Sequence, residues 1–476
     1  MLFNSFEFLW LFPLIFVTYW LINRPAVRAK APRLPNLLLI GISYGLYIKW
    51  NPAFSLLLLG VTAVTYSASL ALERVSQSKK RNLAACGIIL ALLPLTVFKY
   101  ADFILAQANE LGAVFGMEFG LPGLNWALPL GISFFTFQAV GYVADVYLGR
   151  IKAERNWWDY MLFVCFFPQI AAGPIGRASL LLPQIKSPRS FNPSQCSQGM
   201  RWLLWGMFLK VVMADRIGLV VDPILAQYQS QSSALCAMAA VLYSLQIYGD
   251  FAGYSFMALG VGQLMGFELT NNFKRPYLSQ SITEFWHRWH ISLSTWLRDY
   301  VYIPLGGSRC SKARSYLNIA VTFLVSGIWH GANWTFIVWG ILHGLFQIAE
   351  KAVGLGKKQS RGIIKVLRVA TTFVIVTLLW VIFRMPTFSD ACSFIGHLFS
   401  GFATSTITIT PSMKILLLLS ILIVIFKNLM DEYLPQDKTL LHNRYWLVRF
   451  GTYIGLTALI LLCGVLDASQ FIYARF

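Results

Sequence analysis

Apolar runs of membrane-spanning length recur along this chain, parted by short basic, glycine-bearing or proline-bearing breaks. The first run covers residues 8–23 and closes on the segment Arg24 to Pro35. Residues 36–50 and 53–72 predict a helical hairpin turning at Asn51-Pro52, followed by the basic cluster Arg74 to Arg81. Segments 83–104 and 127–148 read as two more crossings, the first despite Lys99. Between them lies the glycine-rich stretch 105–126, which holds acids but no bases. Residues 157–172 are aromatic and apolar, yet Pro168 and Gly173-Pro174 interrupt them, which suits a re-entrant or interfacial element. Spans follow at 199–221 and 234–266, and three more near 366–384, 413–427 and 446–467 end the chain.

Two segments differ in kind. In 281–303, Ser281 and Glu284 form a capping box at a helix start. Ile282, Trp286, Trp289, Leu293, Trp296 and Tyr300 recur at helical spacing, with Glu284, Arg288, Thr295 and Asp299 roughly opposite. One continuous helix is expected, ended by Pro304 and Gly306-Gly307 and lying in the interface or against other helices. At about 100° per residue, His290 falls on the border of the apolar stripe beside His287 and Ser294, while Arg288 faces water. In the second segment, residues 316–329 make a helix of roughly 21 Å, short of a bilayer core of roughly 30 Å. The break at His330-Gly331-Ala332-Asn333 is therefore expected inside the bilayer, with Gly331 left-handed and Asn333 capping the next helix. Irregular backbone at that depth is tolerated where it is buried in protein or lines a cavity, so His330 is expected to face one. The whole reads as an all-α polytopic membrane protein of about twelve crossings plus re-entrant or interfacial helices, in a single domain, 1–476.

Composition agrees. The chain is 57% hydrophobic and 12% charged, against roughly 25% charged in a soluble domain. Its 39 basic and 20 acidic residues give +19, a balance that in a soluble chain suggests nucleic acid. Here the bases gather in alternate loops, at 24–33, 73–82, 150–198, 267–314, 351–368 and 428–449, as the positive-inside rule requires. The expected partner is thus the lipid bilayer and no nucleic acid, with anionic lipid or a phosphate-bearing substrate on the basic side as a further option. The start, MLFNSFEFLWLF, lacks a basic leader region and reads as a retained helix. Seven cysteines show neither CxxC nor metal spacing.

The candidate chemistry is carried by histidine. His287, His290 and His330 are three of the six histidines, and an ionisable side chain within a membrane protein is a functional candidate by default. Burial favours neutral imidazole, the form a general base needs. The structural alternatives are a His330 bonded to a carbonyl freed by the helix break, and a His290 bonded within an aromatic-rich helix. His287 and His290 stand three apart but lack a third metal ligand at sensible spacing, so no metal is expected. His343 reads as packing or as support for the site, and His397 and His442 as loop residues. Asp250, in GDFAGYS, reads as a carboxylate satisfied by hydroxyls or a basic partner. Soluble-enzyme motifs such as GxSxG and the P-loop are absent. A transporter reading meets one marked helix break without a counterpart in the other half.

Two long stretches, NNFKRPYLSQSITEFWHRWHISLSTWLRDYVYIPLGG at 271–307 and GIWHGANWTFIVWGILHG at 327–344, carry a resemblance. LPLGISFFTFQAVGYVADVY at 128–147, AAGPIGR at 171–177, IYGDFAGYS at 247–255, WVIFRMPTFSDA at 380–391 and the terminal FIYARF extend it. The chain resembles the membrane-bound O-acyltransferase family, in its bacterial alginate and peptidoglycan O-acetyltransferase branch. The resemblance implies His330 as catalytic histidine, His290 as second catalytic-site histidine, and a ring of helices around a central funnel. It implies no bound cofactor, acetyl-CoA as cytoplasmic donor, and a bacterial inner-membrane location. It also implies a separate extracytoplasmic partner protein that accepts acetyl and modifies a polysaccharide, alginate-like or peptidoglycan. His287 departs from the pattern, which has arginine before the Arg-Trp-His triplet. A sister branch, transferring D-alanyl to teichoic acid from a carrier protein, is the other reading.

Overall fold

The computed structural model describes residues 3–357, 359–400, 405 and 407–465, so the terminal FIYARF lies outside the described residues. All regular structure among the described residues is helical, as expected. Among the described residues, six helices are long and apolar enough to cross a membrane: Pro52–Arg74, Gln77–Val114, Ser233–Leu264, Gly362–Arg384, Pro411–Tyr433 and Trp446–Cys463. Phe6–Ile22 is apolar but shorter, and the remaining apolar stretches form shorter or interrupted helices. Only helix satisfies every backbone group within one segment in lipid, which is why these runs take that form. Large apolar side chains such as Ile363, Ile415 and Leu461 stay exposed, as a lipid-facing surface requires.

The chain forms two compact units. The first comprises Leu9–Cys196 with Gly262–Thr270. In it the predicted hairpin is present: Asn51 ends Leu34–Trp50 and its side chain accepts from Ala53 N at 2.9 Å, opening Pro52–Arg74. Gln77–Val114 runs well past the expected end at 104, because the residues that follow hold no proline or glycine before Gly112. The Asp102 carboxylate then accepts from Leu124 N and Asn125 N, folding the glycine-rich stretch back onto that helix. Trp157–Cys165 and Phe167–Ile170 are short, buried and broken at Phe166, which fits the expected re-entrant element.

The second unit runs from Ser197 to Val261 and from Asn271 onward. Asp250, on Ser233–Leu264, is satisfied by a basic partner: Lys210, fully buried in the π-helical stretch Phe208–Ala214, pairs with Asp250 and with Asp215. Buried charges persist only when compensated in this way. Lys312–His330 and Trp334–Ala352 form an antiparallel hairpin. Glycines let its two backbones meet: a Cβ on Gly340 would stand 2.4 Å from Phe323 O, and one on Gly327 2.4 Å from Phe336 O.

Two expectations about this hairpin are corrected. The first helix starts a turn earlier, at Lys312 behind a Ser311 cap, so its 19 residues span about 28 Å, nearly a full bilayer core. Length therefore no longer places the break at mid-depth. Gly331 is extended (φ −175°, ψ 164°), not left-handed, because the chain runs straight into the Asn333 cap. That cap is as expected: the Asn333 side chain accepts from Thr335 N at 3.0 Å.

Candidate active site

The helix expected over 281–303 begins as its sequence dictates. Ser281 Oγ accepts from Glu284 N at 3.0 Å, and Glu284 Oε2 accepts from Gln280 N at 2.8 Å. Glu350 adds a second cap, accepting from Ile282 N, Thr283 N and Thr283 Oγ1. The helix is not continuous to 303, although helical structure resumes after a break and runs through a π-helical stretch to Tyr302. It ends at Arg288 and resumes as Ile291–Leu297, with Trp289 extended and His290 left-handed at φ 44°, ψ 53°. A neighbouring segment causes the break by bonding the freed backbone. Lys274 N donates to Arg288 O, Ile291 N to Asn272 O, and Ser292 N to Asn272 Oδ1, all within 3.1 Å. Left-handed backbone is uncommon for any residue other than glycine, although histidine is among those that tolerate it.

The break turns the His290 ring inward, fully buried. It packs edge-on against Phe251 at 4.6 Å and against Trp329 at 5.7 Å between ring centres. His330, the last residue of its helix, is 2% exposed. Its ring meets Trp329 at 4.9 Å, Trp339 at 4.9 Å and Phe383 at 5.4 Å. The two candidate imidazoles therefore share one neighbour, Trp329. Three aromatic rings thus flank the His330 imidazole. His287, by contrast, is exposed and takes no part.

Two supports stand behind the pair, one hidden in the sequence and one expected from it. Arg288, expected to face water, is gripped from two sides. Nη1 and Nη2 donate to the two Glu432 oxygens at 3.0 and 2.9 Å, and Nη2 stands 2.7 Å from Glu284. Arg275 Nε joins the same Glu432 at 2.5 Å. Burial opposes the Arg288 charge, but the bonds and fields of Glu432 and Glu284 outweigh it and hold the guanidinium above its usual range. The i, i+4 spacing of Glu284 and Arg288 hinted at half of this clamp. The other support is His343, fully buried. Its Nδ1 accepts from Trp286 Nε1 at 3.2 Å, and its ring lies 4.8 Å from Trp339, which in turn packs on His330. His397 is likewise no loop residue: it ends the helix Phe388–His397 and bonds Gln231 O.

Two buried imidazoles that share an aromatic neighbour, carried on elements clamped from several directions, can exchange protons with a hydroxyl while keeping water out. The sequence places this chain among known proteins. The model of the membrane-bound O-acyltransferase family, MBOAT, matches residues 152–361, which contain both histidines. The chain is 40% identical over 403 residues to the probable alginate O-acetylase AlgI of Pseudomonas syringae pv. tomato, covering 84% of this chain and 75% of the relative. It is 34% identical over 420 residues to the peptidoglycan O-acetyltransferase of Helicobacter pylori, covering 82% and 78%. A more limited match, 34% over 236 residues, covers 47% of this chain and 57% of the teichoic acid D-alanyltransferase of Streptococcus thermophilus. Likeness over most of the length of both O-acetylating relatives, on an all-helical multi-pass framework, makes this chain a member of the membrane-bound O-acyltransferase family and an O-acyltransferase.

Proposed function

We propose that this enzyme takes acetyl from cytoplasmic acetyl-CoA and passes it across the bacterial inner membrane for O-acetylation of an extracytoplasmic polysaccharide. The acceptor class is that named for its relatives, alginate or peptidoglycan. The observation that carries this reading is the meeting of His290 and His330 at Trp329. His330 acts as general base. It takes the proton of the acceptor hydroxyl as the oxygen attacks the thioester carbonyl, and returns it to the departing CoA thiolate. His290 stabilises the oxyanion of the tetrahedral intermediate or orients the acceptor. No bound cofactor is required. The phosphates of the donor suit the basic loops, and a separate extracytoplasmic protein is the expected relay to the polymer.

The test is His330→Ala in cells that acetylate their polysaccharide. Acetylation is expected to vanish while protein level and membrane insertion persist, and normal acetylation would refute the assignment. The match to D-alanyl-transferring relatives supports a second reading, D-alanyl transfer to teichoic acid. Supplying isolated membranes with acetyl-CoA or with an alanyl-loaded carrier protein separates the two.

A further inference from the structure

In the second unit, a cavity of about 180 Å³ lies where the spans Pro411–Tyr433 and Trp446–Cys463 meet the loop residue Leu441. Ile423, Leu456 and Leu459 make its wall largely apolar. Leu456 is the one buried residue of Trp446–Cys463, so most of that helix faces lipid. Gly455 also lines the cavity, and a Cβ added there meets nothing within 4 Å, so the space is a slot open to the bilayer.

One end of the slot carries positive charge. Tyr453 Oη donates to Leu441 O at 2.8 Å and accepts from Arg201 Nε at 2.9 Å. Arg449 precedes Thr452 by three positions and Leu456 by seven, both of which line the slot, so it stands on the same helix face. Arg449 Nη1 donates to Asn443 O at 3.1 Å, and Arg201 Nη1 shares Gln198 Oε1 with His442 Nε2. The two guanidiniums therefore flank the loop 441–443, and among the described residues neither has a carboxylate partner. The nearby acids are taken: Asp431 pairs with Lys427, and Glu432 with Arg275 and Arg288. Burial, then the fields of Arg201 and Lys427, hold the His442 imidazole below its usual range against the opposing field of Asp431, which marks surplus positive charge here.

The depth fits a lipid. Exposed Tyr445, Trp446 and Phe450 form an aromatic girdle of the kind found at a membrane–water boundary, and 428–449 is one of the basic, cytoplasmic segments. Arg449 to Leu459 covers about 15 Å of helix, half of a hydrocarbon core of about 30 Å. The slot takes one flexible chain and is too small for a helix about 10 Å across. We propose that it holds one acyl chain of an anionic phospholipid of the cytoplasmic leaflet, whose phosphate lies between Arg201 and Arg449. The site stands apart from the acetyl-transfer reading: the lipid is a fixed ligand that ties the last helix to its neighbours.

The test is native mass spectrometry of the full chain released from nanodiscs of equal parts phosphatidylglycerol and phosphatidylcholine, with thermal unfolding in each lipid alone. Retained phosphatidylglycerol and a higher unfolding midpoint in that lipid are expected. Arg449→Gln should weaken retention about 10-fold, the loss of one charge-assisted hydrogen bond. Gly455→Phe should abolish it by filling the slot, with unfolding in phosphatidylcholine unchanged. Equal retention of the two lipids, unchanged retention in both variants, displacement of the lipid by inorganic phosphate, or a dimer that Gly455→Phe disrupts would each overturn the proposal.

Discussion

A methyl group at Gly340 probes whether hairpin packing seats His330, the proposed general base. In Gly340→Ala the new Cβ would stand 2.4 Å from Phe323 O and 3.0 Å from the Gly327 backbone. Carbon–oxygen contacts ordinarily close no nearer than about 3.3 Å, so the helices must part by roughly 0.9 Å. Overpacking of this kind costs about 1–3 kcal/mol, and alanine returns about 0.5–1 kcal/mol by its helix preference, leaving a net loss of at most about 2.5 kcal/mol. The larger effect is on geometry. His330 ends one of the parting helices, and a shift near 1 Å lowers turnover by up to about 100-fold. Gly455→Ala is the control: it sits inside Trp446–Cys463 with nothing within 4 Å of the added carbon, so it should be neutral or slightly stabilising. Both variants are measured in nanodiscs, by tryptophan-monitored thermal unfolding and by acetyl transfer. A Gly340→Ala protein that unfolds and turns over like the wild type would show that the close backbone approach does not set the His330 position.

The clamp on the His290 turn and the support behind Trp339 yield two further expectations. Glu432→Ala leaves Arg288 and Arg275 without their shared carboxylate and should destabilise the fold by about 2 kcal/mol. It should also cut turnover, while Glu432→Gln, which keeps an acceptor, recovers part of both; identical behaviour of the two variants in unfolding and transfer assays would contradict the clamp. His343→Phe retains ring packing but strands the Trp286 N–H, a loss of about 1–3 kcal/mol. His343→Asn keeps an acceptor near Nδ1 and should be the milder change, and a reversed order of unfolding midpoints would assign His343 to ring packing alone.

Local signals carried much of this architecture. Ser281 and Asn333 are legible as caps because a cap is written in two to four consecutive residues, and both are found bonding where the pattern places them; Asn51, legible as a turn, also caps the helix it opens. The apolar runs read correctly for the same reason, since a helix in lipid needs no distant partner. The extension of Gln77–Val114 and the early start at Lys312 escape such signals, because polar residues suggest loop even where nothing in the chain stops a helix.

The two histidines separate local from distant information most clearly. His330 announces itself: it closes an apolar run, glycine follows it, and an asparagine cap stands three residues on. His290 lies in a stretch whose apolar spacing suits one unbroken helix, with neither glycine nor proline to betray a turn. Its left-handed backbone costs about 1–2 kcal/mol, so it persists only because other segments over-determine it. Asn272 and Lys274 take the freed backbone groups, and Glu432 holds Arg288 two residues upstream from a helix 144 positions away. A device of this cost that did no more than pack an imidazole against Phe251 and Trp329 could be replaced by continuing the helix. The residues that clamp the turn hold His290 against the ring it shares with His330.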